Sequence, residues 1–135
     1  MSAPHPRPDP VAGDDAVFWD HVARGELHLQ HCTECGTFRH PPRPVCARCG
    51  SSAGEWVPAG GGGEVWTYTV VHPPTLPAFA DRVPYGAVVV RLDEGVFMVS
   101  NLVDCPVEEL AVGQRVEVAI TEVGEGVVLP LFRRA

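Results

Sequence analysis

The sequence contains no lysine: its ten basic residues are all arginine, set against seventeen acidic ones for a formal charge of −7. A surface of that sign is unsuited to gripping a nucleic-acid backbone or an anionic membrane, since both are polyanions that bind through an excess of cations. Long apolar runs are missing too. The longest unbroken aliphatic stretch, Ala87 to Val90, falls far short of the roughly 20 residues that cross a bilayer. The Pro-rich start has neither an apolar segment nor a small-residue cleavage site, so it does not read as a signal peptide. These absences predict a soluble, cytoplasmic protein. GxGxxG, Walker, GxSxG and HExxH patterns are also absent, and the acidic residues are dispersed, so the chain offers no recognisable nucleotide loop, nucleophile elbow or protease motif. Gly60 to Gly63 lacks the Lys, Ser or Thr and the following helix of a phosphate loop, and reads as a flexible joint.

Cysteine is where the sequence is rich. Of five, four form two copies of one knuckle, Cys32-Thr-Glu-Cys35-Gly36 and Cys46-Ala-Arg-Cys49-Gly50. Two residues between cysteines let both thiolates face one ion, and the following Gly takes the tight turn that aims backbone N–H groups at sulfur. Two knuckles complete a four-thiolate shell with no position left for water, so the expected ion is one structural Zn2+, held by Cys32, Cys35, Cys46 and Cys49. Iron in a rubredoxin-like site uses the same ligands. Such an ion replaces the core that residues 26–57 lack. Cys105 has no paired cysteine left and reads as a small hydrophobe, and His31 reads as a surface residue on a strand.

Length bounds the rest: 135 residues hold one ordinary domain, or a small one plus a stapled module. Residues 1–13 carry four prolines and little to bury, predicting a disordered arm. Residues 14–59 form a helix and the zinc ribbon. Asp14 and Asp15 offer an N-cap, Phe18, Trp19 and Val22 share a side at helical spacing, and Gly25 suits the stop. Leu27 and Leu29 then alternate with polar residues, as in a strand. Residues 60–135 are all β, with strands expected over 64–72, 85–92, 96–103, 115–122 and 127–132, and a helical turn after Pro106. Strand, long loop, hairpin, helical turn, hairpin is the order of a five-stranded OB barrel. The fold class is therefore mainly β: a short helix and rubredoxin-like ribbon, then an OB barrel.

No nucleophile, base and oxyanion pair can be assembled, so catalytic residues are not expected. Contact residues are. The helix bearing Phe18 and Trp19, the turn Pro41-Pro42-Arg43 and the stiff loop from His72 through Pro74 to Phe79, with Tyr85 beyond it, hold more apolar surface than so small a protein covers alone. The long loop either meets a partner or an acyl chain, or folds over the barrel mouth.

The run from Phe18-Trp19 through both knuckles, Trp56, Thr67-Tyr68-Thr69-Val70-Val71-His72, Pro84-Tyr85 and Leu129-Pro130-Leu131-Phe132 resembles the acyl-CoA-associated zinc-ribbon/OB-fold family. That resemblance implies a non-catalytic accessory subunit of an acyl-CoA-processing lyase or acyltransferase complex. Its implied partner is a thiolase-fold enzyme, a thiolase or retro-aldolase, in a hetero-oligomer. The resemblance also implies an enoyl-CoA hydratase and an acyl-CoA substrate nearby, with a steroid side-chain CoA ester as one such substrate. The chain departs from the family at His72-Pro73-Pro74, where many relatives place a basic residue after the His, which weakens a role for this loop in gripping CoA phosphate. Two other readings are a nucleic-acid-binding ribbon/OB protein, opposed by the charge, and a free-standing acyl-CoA binder.

Overall fold

The chain opens its ordered part with α1 (Asp14–Ala23). The computed structural model describes residues 4–8, 13–74 and 76–135. The helix is capped by Gly13, at φ 72°, with no side-chain cap. Asp14 and Asp15 instead lie inside the first turn, where their charge complements the helix dipole. Gly25, at φ 80°, ends it as expected. Its N–H donates to Val22 O at 2.9 Å and the Glu26 N–H reaches back to His21 O at 2.9 Å, the paired bonds that close a helix at a left-handed glycine.

The ribbon is a three-stranded antiparallel sheet of β1 (His28–Cys32), β2 (Phe38–Arg39) and β3 (Gly54–Pro58), in the order β2-β1-β3. Five longer strands follow: β4 (Gly62–Val71), β5 (Tyr85–Leu92), β6 (Phe97–Val103), β7 (Arg115–Gly124) and β8 (Val127–Arg134). They close a barrel in the order β4-β5-β6-β8-β7, with β4 pairing back onto β7. Among the described residues one strand pairing is parallel, β6 with β8, placing Leu102 opposite Phe132 and Val103 opposite Arg133. First-second-third-fifth-fourth with a closing bond back to the first is the OB order. Single 3₁₀ turns at Pro77–Phe79 and Val107–Glu109 punctuate the two longer connections.

Alternation sets the inside of the barrel. Along β5, Gly86, Val88, Val90 and Leu92 point inward, meeting Val65, Met98, Leu102, Val116 and Phe132. The same buried cluster continues into Phe18 and Val22 of α1 and Leu27 and Leu29 around β1. The helix is thus the hydrophobic bond between ribbon and barrel, and Phe18, only 4% exposed, is core.

The glycine run is not slack. Gly62 and Gly63 belong to β4 and pair with Glu117 and Val116 of β7, and Gly63 also lies opposite Leu92 of β5. Gly61 O accepts from the Val118 N–H at 2.8 Å, and the Gly60 N–H donates to Glu94 Oε2 at 2.8 Å. Glycine is required because backbones meet there: a Cβ on Gly63 would stand 2.6 Å from Arg91 O and 2.8 Å from Val90 Cγ1. Gly63→Ala is expected to cost about 3 kcal/mol by overpacking, read as a lower urea midpoint at unchanged slope. Gly124→Ala, whose nearest neighbour would be His5 Cβ at 3.5 Å, is expected to stay near wild type.

Of the N-terminal arm, residues 4–8 lie against the barrel. The His5 ring meets Phe79 edge-on at 5.3 Å and Arg7 donates to Glu125 O at 2.8 Å. Residues 1–3 and 9–12 of that expected disordered arm lie outside the described residues.

Candidate metal centre and apolar cleft

The two knuckles fold alike. The Cys32 N–H donates to Thr37 O and the Gly36 N–H to Cys32 O, both at 2.9 Å. The second copy repeats this with Cys46 to Ser51 O at 2.9 Å and Gly50 to Cys46 O at 2.8 Å. Gly36 and Gly50 both take positive φ, 77° and 75°, which is why a glycine follows each second cysteine. β1 delivers Cys32 at its last residue, and the loop between β2 and β3 delivers Cys46 and Cys49.

The four Sγ atoms lie within 4.8 Å of one another, with Cys32 to Cys49 and Cys35 to Cys46 each at 3.6 Å. A tetrahedral zinc with bonds near 2.3 Å places its sulfurs about 3.8 Å apart, so the cluster fits the ion. Its electrostatics ask for one. The Thr37 hydroxyl, 3.1 Å from Cys35 Sγ, and the Thr37 N–H hold the Cys35 thiol down at about 6. N–H groups of Cys49 and Arg48 lower Cys46 as well. Cys49, although the Ser51 N–H lowers it, is pushed up to about 12 by burial and the neighbouring thiols. The site favours its first thiolates and resists the last, which is the balance a dication resolves. Cys32, Cys35, Cys46 and Cys49 hold a structural zinc, and the closed shell assigns it no reaction. His31 stays outside it, 3.2 Å from Glu55 Oε1 and tilted on Phe38.

Beside the ribbon an apolar cleft of about 480 Å³ opens between α1, the proline turn and the barrel. Trp19 and the edge of Phe18 form one wall, His40, Pro41 and Pro42 a second, and Phe79 with Tyr85 a third. Met98, Leu129, Pro130 and Leu131 lie beneath. Its polar groups are few: Ser100 Oγ donates to Pro130 O at 2.7 Å and Asn101 Nδ2 to Gly86 O at 3.0 Å, and the Asp15 carboxylate lies at the α1 side of the lining. Burial keeps His40 below its ordinary pKa, so it contributes no charge at neutral pH. A second cavity of about 310 Å³ shares Phe79, Tyr85, Asn101, Leu129 and Leu131 with the first and reaches His5 and Cys105.

Six of the nine expected contact residues therefore meet at one place: Phe18, Trp19, Pro41, Pro42, Phe79 and Tyr85. Three do not line it. Arg43 acts through its backbone, its N–H donating to Gln30 Oε1 at 2.7 Å and its carbonyl accepting from Arg39 Nε at 3.1 Å. Those two bonds clip the proline turn to the ribbon, with Gln30 and Arg39 both buried. His72 and Pro74 are exposed just beyond β4. Cys105 packs against the core edge with Sγ 3.5 Å from Pro106 O.

Sequence reasoning missed an apolar ridge on the barrel's outer face. Val99, at the cleft rim, is 78% exposed, and Phe97 and Trp66, 44% and 52% exposed, continue from it. The Trp66 and Phe97 rings touch edge-on at 5.4 Å and the Arg91 guanidinium covers Trp66 at 5.8 Å. The available signal was two large residues on the polar phase of their strands, Trp66 beside Val65 and Phe97 beside Val96.

The family model described as the ChsH2 rubredoxin-like zinc ribbon domain matches residues 19–54, and that of the ChsH2 C-terminal OB-fold domain matches 56–121. A Methanocaldococcus jannaschii protein named a DUF35 domain-containing scaffold protein is 33% identical over 110 residues, covering 79% of this chain and 77% of its own length. The chain belongs to the ChsH2 (DUF35) family. A Thermomonospora curvata protein named a probable enoyl-CoA hydratase alpha subunit is 39% identical over 130 residues, which are 96% of this chain. A Mycobacterium tuberculosis protein named the 3-oxo-4,17-pregnadiene-20-carboxyl-CoA hydratase alpha subunit is 35% identical over 103 residues, or 76% of this chain. This ChsH2-family chain spans only 40% and 32% of those two relatives. A solved structure described as an Ltp2-ChsH2(DUF35) aldolase superposes with a TM-score of 0.84 at 36% identity, over 93% of this chain and 98% of that one. No helix among the described residues is long and apolar enough to cross a membrane.

Proposed function

We propose that this ChsH2-family protein is a non-catalytic accessory subunit that binds a thiolase-fold enzyme and supports its action on an acyl-CoA thioester. The observation that carries the reading is the cleft: three separate elements converge their aromatic and proline side chains on one largely apolar opening, with Asp15 the one acidic residue of its lining. An apolar cleft with an exposed ridge at its rim is the anatomy of an interface core. The kinship with an Ltp2-ChsH2 aldolase and with DUF35 scaffold proteins supports the same role. Kinship to hydratase alpha subunits supports a CoA thioester, and a steroid side-chain CoA ester as the finer assignment. In this reading residues 14–59 are the ribbon module and 60–135 the barrel module, working together through α1, in the cytoplasm. His72 and Pro74 take contact roles at the edge of the face, outside the cleft.

Reconstitution tests it. A thiolase-fold enzyme from the same cell, expressed with this chain, is expected to co-purify with it and to turn over acyl-CoA faster or survive longer than alone. A chain that instead retains RNA, or binds the thioester with no protein partner, overturns the proposal. The purified chain alone is expected to show no thiolase, aldolase or hydratase turnover, since among the described residues the Cys105 thiol donates to the Pro106 carbonyl and not to a base. Turnover by the chain that vanishes in Cys105→Ala would establish the cysteine as a nucleophile after all.

A further inference from the structure

Among the described residues, one group of potential metal ligands besides the cysteines converges, at the junction of α1 and β1. His21 lies in the last turn of α1, Glu26 follows the Gly25 stop, and His28 opens β1. The reversal at Gly25 folds all three onto one spot. An imidazole nitrogen from each histidine and a Glu26 carboxylate oxygen all lie within 4.8 Å of one another. The two rings stack, with centroids 3.7 Å apart and planes 14° from parallel.

The donor atoms gathered there are incompletely paired. Arg24 Nη2 lies 3.1 Å from His21 Nδ1 and Arg24 Nε 3.7 Å from Glu26 Oε1, so one exposed cation stands over both groups. The same His21 nitrogen stands 3.3 Å from Glu26 Oε1, so His21 and Glu26 already converge as a pair. His28 Nδ1 is buried and has no hydrogen-bond partner at all, a state that ordinarily costs stability unless something fills it. Burial, then the neighbouring His21, hold the His28 pKa below its ordinary value. His28 is thus a neutral imidazole at pH 7, the form that ligates metal.

The geometry points to a second metal site at His21, Glu26 and His28, for a borderline divalent ion such as zinc, nickel or copper. Two imidazoles and one carboxylate are the donor set of that class, and calcium or magnesium would demand more oxygens. With three protein ligands the ion keeps positions for water and exchanges, unlike the closed cysteine centre. Two adjustments admit it. The stacked rings splay about χ2 until both planes contain the ion, and Arg24, its side chain 63% exposed, swings into solvent. The bound ion ties α1, which carries Trp19 into the cleft, to the first strand of the ribbon.

Titration of the protein already carrying one zinc per chain, with ZnCl2 in a non-chelating buffer, reads this directly. One further equivalent is expected. Glu26→Gln, nearly isosteric, and His28→Ala are each expected to weaken that second equivalent tenfold or more while the first zinc stays bound. Arg24→Ala is expected to strengthen it severalfold by removing the competing cation. Saturation at one zinc per chain, or a second equivalent that survives either ligand variant, overturns the site.

Discussion

Cys46→Ser is expected to yield a protein without zinc, with an unfolded ribbon and no capture of the thiolase-fold partner. Cys46 is buried and sits 3.6 Å from Cys35 across the cluster, so its loss leaves three thiolates that no longer close the shell. Structural zinc contributes on the order of 10 kcal/mol or more to the folding of small modules, against a typical whole-domain stability of about 5–15 kcal/mol. Residues 32–50 have little else to hold them, since β2 is two residues long and only Cys32, Arg39 and Cys46 among them are buried. The damage spreads because Leu27 and Leu29 share one core with Phe18 and the barrel, so the melting temperature of the whole chain should fall. Metal analysis after gel filtration, with thermal unfolding of the same sample, checks both parts. A metal-free Cys46→Ser protein that melts like wild type and still binds its partner would refute the structural role.

Why some of this was legible and some not follows from where each residue's neighbours lie. The barrel strands could be read because Val88, Val90 and Leu92 carry their own burial pattern within a few residues. The knuckles could be read because ligand spacing and the following glycines are local demands. β2 and β3 could not: Phe38-Arg39 and Gly54-Glu-Trp-Val-Pro have no clean alternation, and both exist as strands through pairing with β1. The glycine run misled for the same reason. Its composition advertises freedom, whereas the Arg91 backbone and the Val90 side chain that forbid a side chain at Gly63 lie far along the chain. Arg43 stood out by its charge, yet it is its main chain, held by Gln30 and Arg39, that fixes the cleft wall.

Trp19→Ala and Phe79→Ala are each expected to weaken the complex with the thiolase-fold partner roughly thirtyfold, about 2 kcal/mol, the loss typical of a truncated aromatic anchor at an interface centre. The two rings stand on opposite sides of the cleft, one on α1 and one in the 77–79 turn, so each removes a separate wall. Val99→Arg should do as much from the rim. That residue is 78% exposed, so the change leaves the fold intact and places a charge where the partner must desolvate it. The zinc should remain in all three variants, since none touches the cysteines, and retained zinc separates a lost interface from a lost ribbon. Arg115→Glu supplies the opposite arm. Arg115 pairs with Asp93 through two bonds of 3.0 and 3.1 Å on an exposed part of β7, and it does not line the cleft. Reversing it exposes two acidic groups to each other in water, which costs the fold little. If that reversal breaks the complex while the three cleft variants bind normally, the partner sits on the β7 side of the barrel and the cleft is left for the acyl group alone.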